Sequence, residues 1–172
     1  MVFPRIVITG PESCGKTTLC RYLAGALEVP MAPEYARIYL DTHGADYDLE
    51  ILKTIAREHV EYQRRKVPPS VRLGVFDTDL INFKIWAEEV FGHCPDEIAQ
   101  GVLHEAHHLY LVCAPDLPWE PDPLRENPHN REYLFQRHLA EIEMLGRRYQ
   151  IVEGVGDARL RSVDLAVKRL LE

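Results

Sequence analysis

The chain is poor in several features, and each shortage narrows what it can be. It has four cysteines, Cys14, Cys20, Cys94 and Cys113, with no two in C-x-x-C spacing, and Cys14 sits in a glycine-bounded loop that a disulfide would obstruct. A reducing compartment fits this better than a disulfide framework. No apolar run approaches the roughly 18 residues of a membrane span. The first β-branched run, Ile6-Val7-Ile8, starts too close to Met1 to leave room for a signal peptide, so a cytoplasmic protein is expected. The net charge is −7, so no basic face is expected for a nucleic acid or an anionic membrane surface. Internal repeats and a low-complexity tail are also lacking. At 172 residues with 46% hydrophobic content, the expectation is one domain spanning 1–172.

What is present is a complete G-x-x-x-x-G-K-S/T sequence, Gly10-Pro11-Glu12-Ser13-Cys14-Gly15-Lys16-Thr17. It directly follows the apolar run, and a proline-free helical stretch from Lys16 to Leu27 follows it. This context makes the motif specific for a phosphate-binding loop. Its backbone N–H groups and the helix N-terminus present positive potential to nucleotide phosphates. In this role Lys16 reaches the β and γ phosphates, Thr17 holds Mg²⁺, and Thr18 offers a further hydrogen bond. ATP or GTP binding is the expectation, with ATP and Mg²⁺ as cofactors.

Along the chain, apolar runs alternate with helical patterns. Strands are expected at Arg5–Thr9, Val29–Pro33, Arg72–Asp77, Leu109–Cys113 and Tyr149–Val152. Helices are expected at 16–27, 48–67, 80–91, 95–107, 131–147 and from about Asp157. This alternation predicts a three-layer α/β/α fold with a mainly parallel five-stranded sheet. Residues 114–131 are rich in proline (Pro115, Pro118, Pro121, Pro123, Pro128) and too long for a plain connector; they read as a lid.

Further candidates cluster at the expected carboxyl edge of the sheet. Glu34 closes the second strand and is a candidate general base, with an ordinary first-turn Glu as the alternative. Asp77 and Asp79 end the third strand with a period of two, so both are expected at the cleft, where Asp77 would hold Mg²⁺, directly or through water, or contact the acceptor as the base in place of Glu34, and Asp79 would contact the acceptor; a helix cap is the alternative, above all for Asp79. Arg125 and Arg131 would bring charge from the lid to the transferring phosphoryl group, or else pair with Asp122, Glu126 or Glu132. Arg37, Tyr35 and Trp86 are candidates for contact with the acceptor, while core packing also accounts for Trp86 and lid bracing for Trp119. His104-Glu105-Ala106-His107-His108 matches the zinc-protease pattern H-E-x-x-H, but it runs straight into an expected strand and lacks an evident third ligand, so no zinc role is assigned. Asp41-Thr42-His43-Gly44 looks like a GTPase switch, but no N-K-x-D guanine motif accompanies it.

Taken together, the phosphate loop, Pro33-Glu34-Tyr35-Ala36-Arg37, Phe76-Asp77-Thr78-Asp79, Pro115-Asp116-Leu117-Pro118-Trp119, Leu124-Arg125 and Val152-Glu153-Gly154 resemble the ribosylnicotinamide kinase domain of NadR-type proteins. The resemblance implies transfer of the ATP γ-phosphoryl to the 5′-hydroxyl of nicotinamide riboside. Asp122-Pro123-Leu124-Arg125 departs from the family's Asp-Gly-x-Arg and stiffens the lid. The sequence contains no adenylyltransferase or DNA-binding part, so neither role is expected of these residues. The residues alone support a kinase of a small acceptor. Another nucleoside or nucleotide kinase, and an ATPase switch module without an acceptor, remain as alternatives.

Overall fold

Alternation along the strands builds the core. In β1 (Arg5–Thr9), Ile6 and Ile8 point to one face of the sheet and Val7 to the other; in β3 (Gly74–Asp77), Val75 and Phe76 divide in the same way. All of these side chains are buried, so both faces must be covered, as a parallel sheet requires. The computed structural model describes residues 3–172. β1 is followed by α1 (Lys16–Leu27), β2 (Met31–Ala32), α2 (Tyr35–His43), α3 (Leu49–Lys66) and β3. Then come α4 (Leu80–Phe91), α5 (Asp96–His104), β4 (His108–Cys113), α6 (Arg131–Met144), β5 (Tyr149–Val152) and α7 (Asp157–Leu171). The five strands stand in the order β2-β3-β1-β4-β5, and every pairing is parallel.

One core joins Ile6, Ile8, Val75, Leu111 and Val152 to Leu19 and Leu23 of α1 and to Val163, Val167 and Leu170 of α7. The other joins Val7, Phe76, Tyr110 and Val112 to α2, α3, α4, α5 and α6. Each large side chain fully buried in this way contributes about 1.5–3 kcal/mol. The register sets the site: Ile8 pairs with Asp77 and Thr9 with Val112, so the ends of β3 and β4 flank the start of the phosphate loop.

Several expected boundaries shift. α2 is an added helix; it begins directly after Glu34 and ends at Gly44, whose N–H reaches Leu40 O. α5 stops at His104 instead of 107, because Glu105 N–H turns back to Val102 O and His108 is already in β4. α6 stops at Met144 instead of 147, where Gly146 takes a left-handed φ of 64°. Thus the H-E-x-x-H residues lie on no continuous helix. No described helix is long and apolar enough to cross a membrane.

Between α3 and α4, His59 is completely buried against Phe83, and neither ring nitrogen has a hydrogen-bond partner among the described residues. Burial holds its pKa down at about 4, despite the Asp79 charge nearby. A folded pKa below the unfolded value near 6.5 means that the unfolded chain binds more protons between these limits. His59 therefore costs stability as pH falls from about 6.5 towards 4, at up to about 1.4 kcal/mol per pH unit. His59→Leu removes this loss. The difference in melting temperature, variant minus wild type, is expected to grow by roughly 5 °C between pH 7 and pH 5; a constant difference across that range would show that His59 does not titrate this way.

Candidate active site

The phosphate loop connects β1 to α1 through three residues with positive φ: Gly10 (130°), Ser13 (55°) and Gly15 (72°). At Gly10 a Cβ would lie 2.7 Å from the Cys113 carbonyl oxygen, so both the turn and the close approach of β4 require glycine. Lys16 Nζ donates to Pro11 O (2.6 Å), which holds the ammonium over the loop. Thr18 is exposed at the outer side of α1, and Cys14 is buried beneath the loop. Burial pushes the Cys14 thiol above its ordinary range, against the pull of Lys16 and Arg131. Sequence reasoning missed Arg159, a buried guanidinium from α7 that donates to Cys14 O (2.8 Å), Ala114 O and Gly154 O and pairs with Asp116. It ties the floor of the loop to the turn after β5.

Asp77 ends β3 beside the loop and is fully buried. Its Oδ2 accepts from Thr17 Oγ1 at 2.6 Å, and its Oδ1 has no partner among the described residues. Burial raises its pKa, while the Thr17 hydroxyl and Lys16 oppose the rise. A buried carboxylate oxygen left free beside a threonine hydroxyl and the phosphate loop suits an oxygen-liganded Mg²⁺ and its bound water. Thr17 and Asp77 therefore fit that ion.

Glu34 precedes α2 at its N-cap position, yet its side chain makes no cap hydrogen bond. Its carboxylate instead lines a cavity of about 300 Å³ together with Gly10, Pro11, Glu12 and Lys16. Burial, and then the Asp77 charge, raise the Glu34 pKa. The opposite wall of the cavity is α4, which presents Asn82, Ile85, Trp86 and Glu89. Arg37, Leu40 and Tyr47 close one side, and Leu134 and His138 of α6 another. Trp86 Nε1 donates to Tyr47 Oη at 2.9 Å, and the two rings meet edge to face with centroids 4.9 Å apart. Trp86 is thus both half-buried packing and cavity wall.

Two expected contacts are corrected. Asp79 does not reach the cleft. Thr78 takes a left-handed φ of 66°, an unusual conformation for a β-branched residue, held by its N–H on Ile8 O and by Gln63 Nε2 on its own carbonyl. This breaks the period of two and turns Asp79 into the core at 0% exposure. There its carboxylate accepts from Ile81 N, His108 Nδ1 (2.9 Å) and Tyr110 Oη (2.6 Å). Burial alone would raise its pKa, but these donors hold it low, while burial and the Asp79 charge push neighbouring Glu105 well up. Tyr35 likewise turns away: its hydroxyl donates to Glu58 of α3 (2.6 Å), and its ring packs against Tyr62. In the first turn of α2, the backbone aims residue 35 at α3 and residue 37 at the cavity.

The proline-rich segment 114–130 carries no helix or strand and folds over the phosphate loop. Ser13 Oγ accepts from Glu120 N (2.9 Å), while the Glu12 carboxylate accepts from Glu126 N and Asn127 N (3.2 and 2.9 Å). Arg125 donates to Glu120 O and lies 3.5 Å from Ser13 Oγ. Arg131 donates to Leu117 O (2.8 Å) and Ser13 O and stacks over Trp119. Both arginines are therefore drawn to the loop and not to Glu126 or Glu132. Arg37 is the residue that pairs with Asp122 (3.0 Å).

The likeness to known proteins follows this architecture. The NadR trifunctional NAD biosynthesis/regulator protein of Escherichia coli K12 is 28% identical over 130 residues, which cover 70% of this chain and 30% of that protein. A crystal structure of NadR protein in complex with NR superposes with a TM-score of 0.80 at 21% identity, covering 98% of this chain and 52% of the other. The chain thus spans about half of that solved relative and less of the curated one. Shikimate kinase from Acinetobacter baumannii, solved with shikimate, shares the fold at a TM-score of 0.58 and 16% identity, covering 99% of this chain and 96% of its own. A family model described as an AAA domain matches residues 5–159, and the chain belongs to that family of phosphate-loop proteins.

Proposed function

We propose that this chain is an ATP-dependent kinase of a small nucleoside, with nicotinamide riboside as its acceptor. The observation that carries the reading is the cavity beside Lys16 and Glu34. It pairs an aromatic wall, Trp86 and Tyr47, with the carboxylates Glu12, Glu34, Glu89 and Glu126, against the cations Lys16 and Arg37. An acidic, aromatic-walled cleft favours a cationic planar ring. A phosphorylated acceptor would need a cluster of arginines, and among the described residues Arg37 is the one guanidinium on the cavity wall. The NadR structure solved with NR shares this fold, which supports the same acceptor here.

In the proposed reaction the acceptor's 5′-oxygen forms a bond to the γ-phosphorus of ATP as the bond from that phosphorus to the β-γ bridging oxygen breaks. The hydroxyl proton passes to Glu34, and ADP leaves. Lys16 and the loop N–H groups hold the phosphates, while Arg125 and Arg131, carried by a lid at 114–131, meet the charge spread over the transferring group. Thr17 and Asp77 would hold Mg²⁺, which when bound neutralises phosphate charge. Trp86 and Arg37 bind the acceptor. Closure of the lid segment over the loop excludes water that would otherwise hydrolyse ATP.

The test is ADP release with Mg·ATP and nicotinamide riboside, adenosine, cytidine, thymidine, their monophosphates or no acceptor. Release stimulated by nicotinamide riboside, with equal nicotinamide mononucleotide formed, is expected. Stimulation by another nucleoside instead would reassign the acceptor, and equal release without any acceptor would point to an ATPase module.

A further inference from the structure

His138 and Asn82 meet in the wall of the acceptor cavity, one from α6 and the other from the first turn of α4. His138 is 3% exposed; its Nδ1 lies 2.7 Å from Leu134 O, and its Nε2 lies 2.9 Å from the Asn82 side-chain amide, which is placed with Oδ1 toward the ring. A carbonyl oxygen only accepts, so Nδ1 carries a proton. The ring's other partner is an uncharged amide, and burial holds the imidazole at a pKa of about 4, so it is neutral near pH 7 and Nε2 is a bare lone pair. A lone pair must face a donor. Two acceptors cannot face each other, so the amide is reversed from that placement and its nitrogen faces His138, since amide orientation is fixed by the hydrogen-bond network around it. The Asn82 oxygen is left for the cavity.

We infer that His138 locks Asn82 with its oxygen toward the acceptor, so that this part of the wall takes a hydroxyl of the substrate's sugar ring. The placement supports a hydroxyl. Asn82 lines the same cavity as Glu34, beside which the reacting oxygen must lie, and precedes Trp86 by one turn of α4, about 6 Å along the helix axis. In a nucleoside the group between the reacting 5′-oxygen and the base is the sugar, and its hydroxyls donate. A carboxylate or a bare ether at this position would leave the oxygen of Asn82 unpaired or repelled. The inference rests on the nucleoside kinase reading and adds a specificity residue to it, with His138 as its positioning residue.

The test compares wild type, Asn82→Leu and His138→Phe on nicotinamide riboside, its 2′-deoxy and 3′-deoxy analogues, and nicotinic acid riboside. In wild type one deoxy analogue is expected to lose on the order of 100-fold in kcat/KM. Asn82→Leu is expected to lose a similar factor on the riboside and to be indifferent to that hydroxyl. His138→Phe frees the amide to turn either way and lowers the preference ratio. Nitrogen-15 spectra of the wild-type imidazoles, which need neither variant to fold, are expected to show His138 neutral and protonated at Nδ1. Equal deoxy losses in wild type and Asn82→Leu, no deoxy loss at all, or a His138 protonated at Nε2 would each overturn the inference. So would an Asn82 effect confined to the amide-versus-acid pair. If wild type does not turn over nicotinamide riboside, the parent reading fails and takes the sugar assignment with it, while the tautomer still decides the orientation of Asn82.

Discussion

Glu34→Gln is expected to lower kcat by about 10²–10⁴-fold, with the Kd for an ATP analogue changed less than about threefold. Glutamine keeps the shape of the cavity wall and removes the capacity to take the acceptor's proton. The local fold survives the change, because the Glu34 side chain makes no cap bond to α2. Burial and the Asp77 charge both raise its proton affinity, which suits a base better than an exposed carboxylate would. Asp77→Asn should behave differently. It disturbs the hydroxyl contact with Thr17 at 2.6 Å and the free Oδ1, so the Mg²⁺ concentration needed for half-maximal rate should rise together with the fall in kcat. Steady-state kinetics over a Mg²⁺ series, with calorimetry of analogue binding, separates the two. Identical phenotypes would defeat this division between base and metal carboxylate.

The parts of the fold that were legible in the sequence are those where one local signal dominates. The phosphate loop, α1 and α4 stand where spacing and apolar periodicity put them, because β-branched strands and amphipathic helices declare themselves within a few residues. α2 was hidden: its run Tyr35–His43 has few apolar residues, and only Ala36 and Leu40 are buried. The site was harder still. Asp77 and Glu34 were readable as carboxylates at strand ends. Asn82 and Glu89 come to the cavity from α4, Tyr47 from a loop and His138 from α6, and nothing in a linear pattern brings them together. A usable signal for Asn82 was its i,i+4 spacing to Trp86 on one helix face. Asp79 failed for a single backbone reason: the left-handed φ of Thr78 reverses the direction of the next side chain, and strand periodicity cannot foresee that.

That reversal makes Asp79 a stability residue, and Asp79→Ala is expected to cost about 3–5 kcal/mol, a fall in melting temperature on the order of 10 °C. Its carboxylate is the common acceptor of Ile81 N–H, the His108 ring and the Tyr110 hydroxyl, and none of these groups is more than 3% exposed. Truncation strands three buried donors at once and removes the N-cap of α4. Arg147, which donates to Tyr110 Oη and to the carbonyls of Glu105 and Val102, extends the same network to the end of α5 and the turn before β4. Asp79→Asn should lose less, since its oxygen still caps Ile81, although the NH₂ that replaces Oδ2 cannot accept from His108 or Tyr110. Thermal unfolding of both variants, with KM for the acceptor measured at 10 °C on the folded fraction, distinguishes structure from recognition. A large drop in melting temperature with KM within a few-fold of wild type is expected, because Thr78 stands between Asp79 and the Asp77 carboxylate and keeps its own anchors on Ile8 and Gln63. A stable Asp79→Ala protein with a strongly raised KM would instead return Asp79 to the cleft, and would require Thr78 to leave its left-handed conformation during turnover.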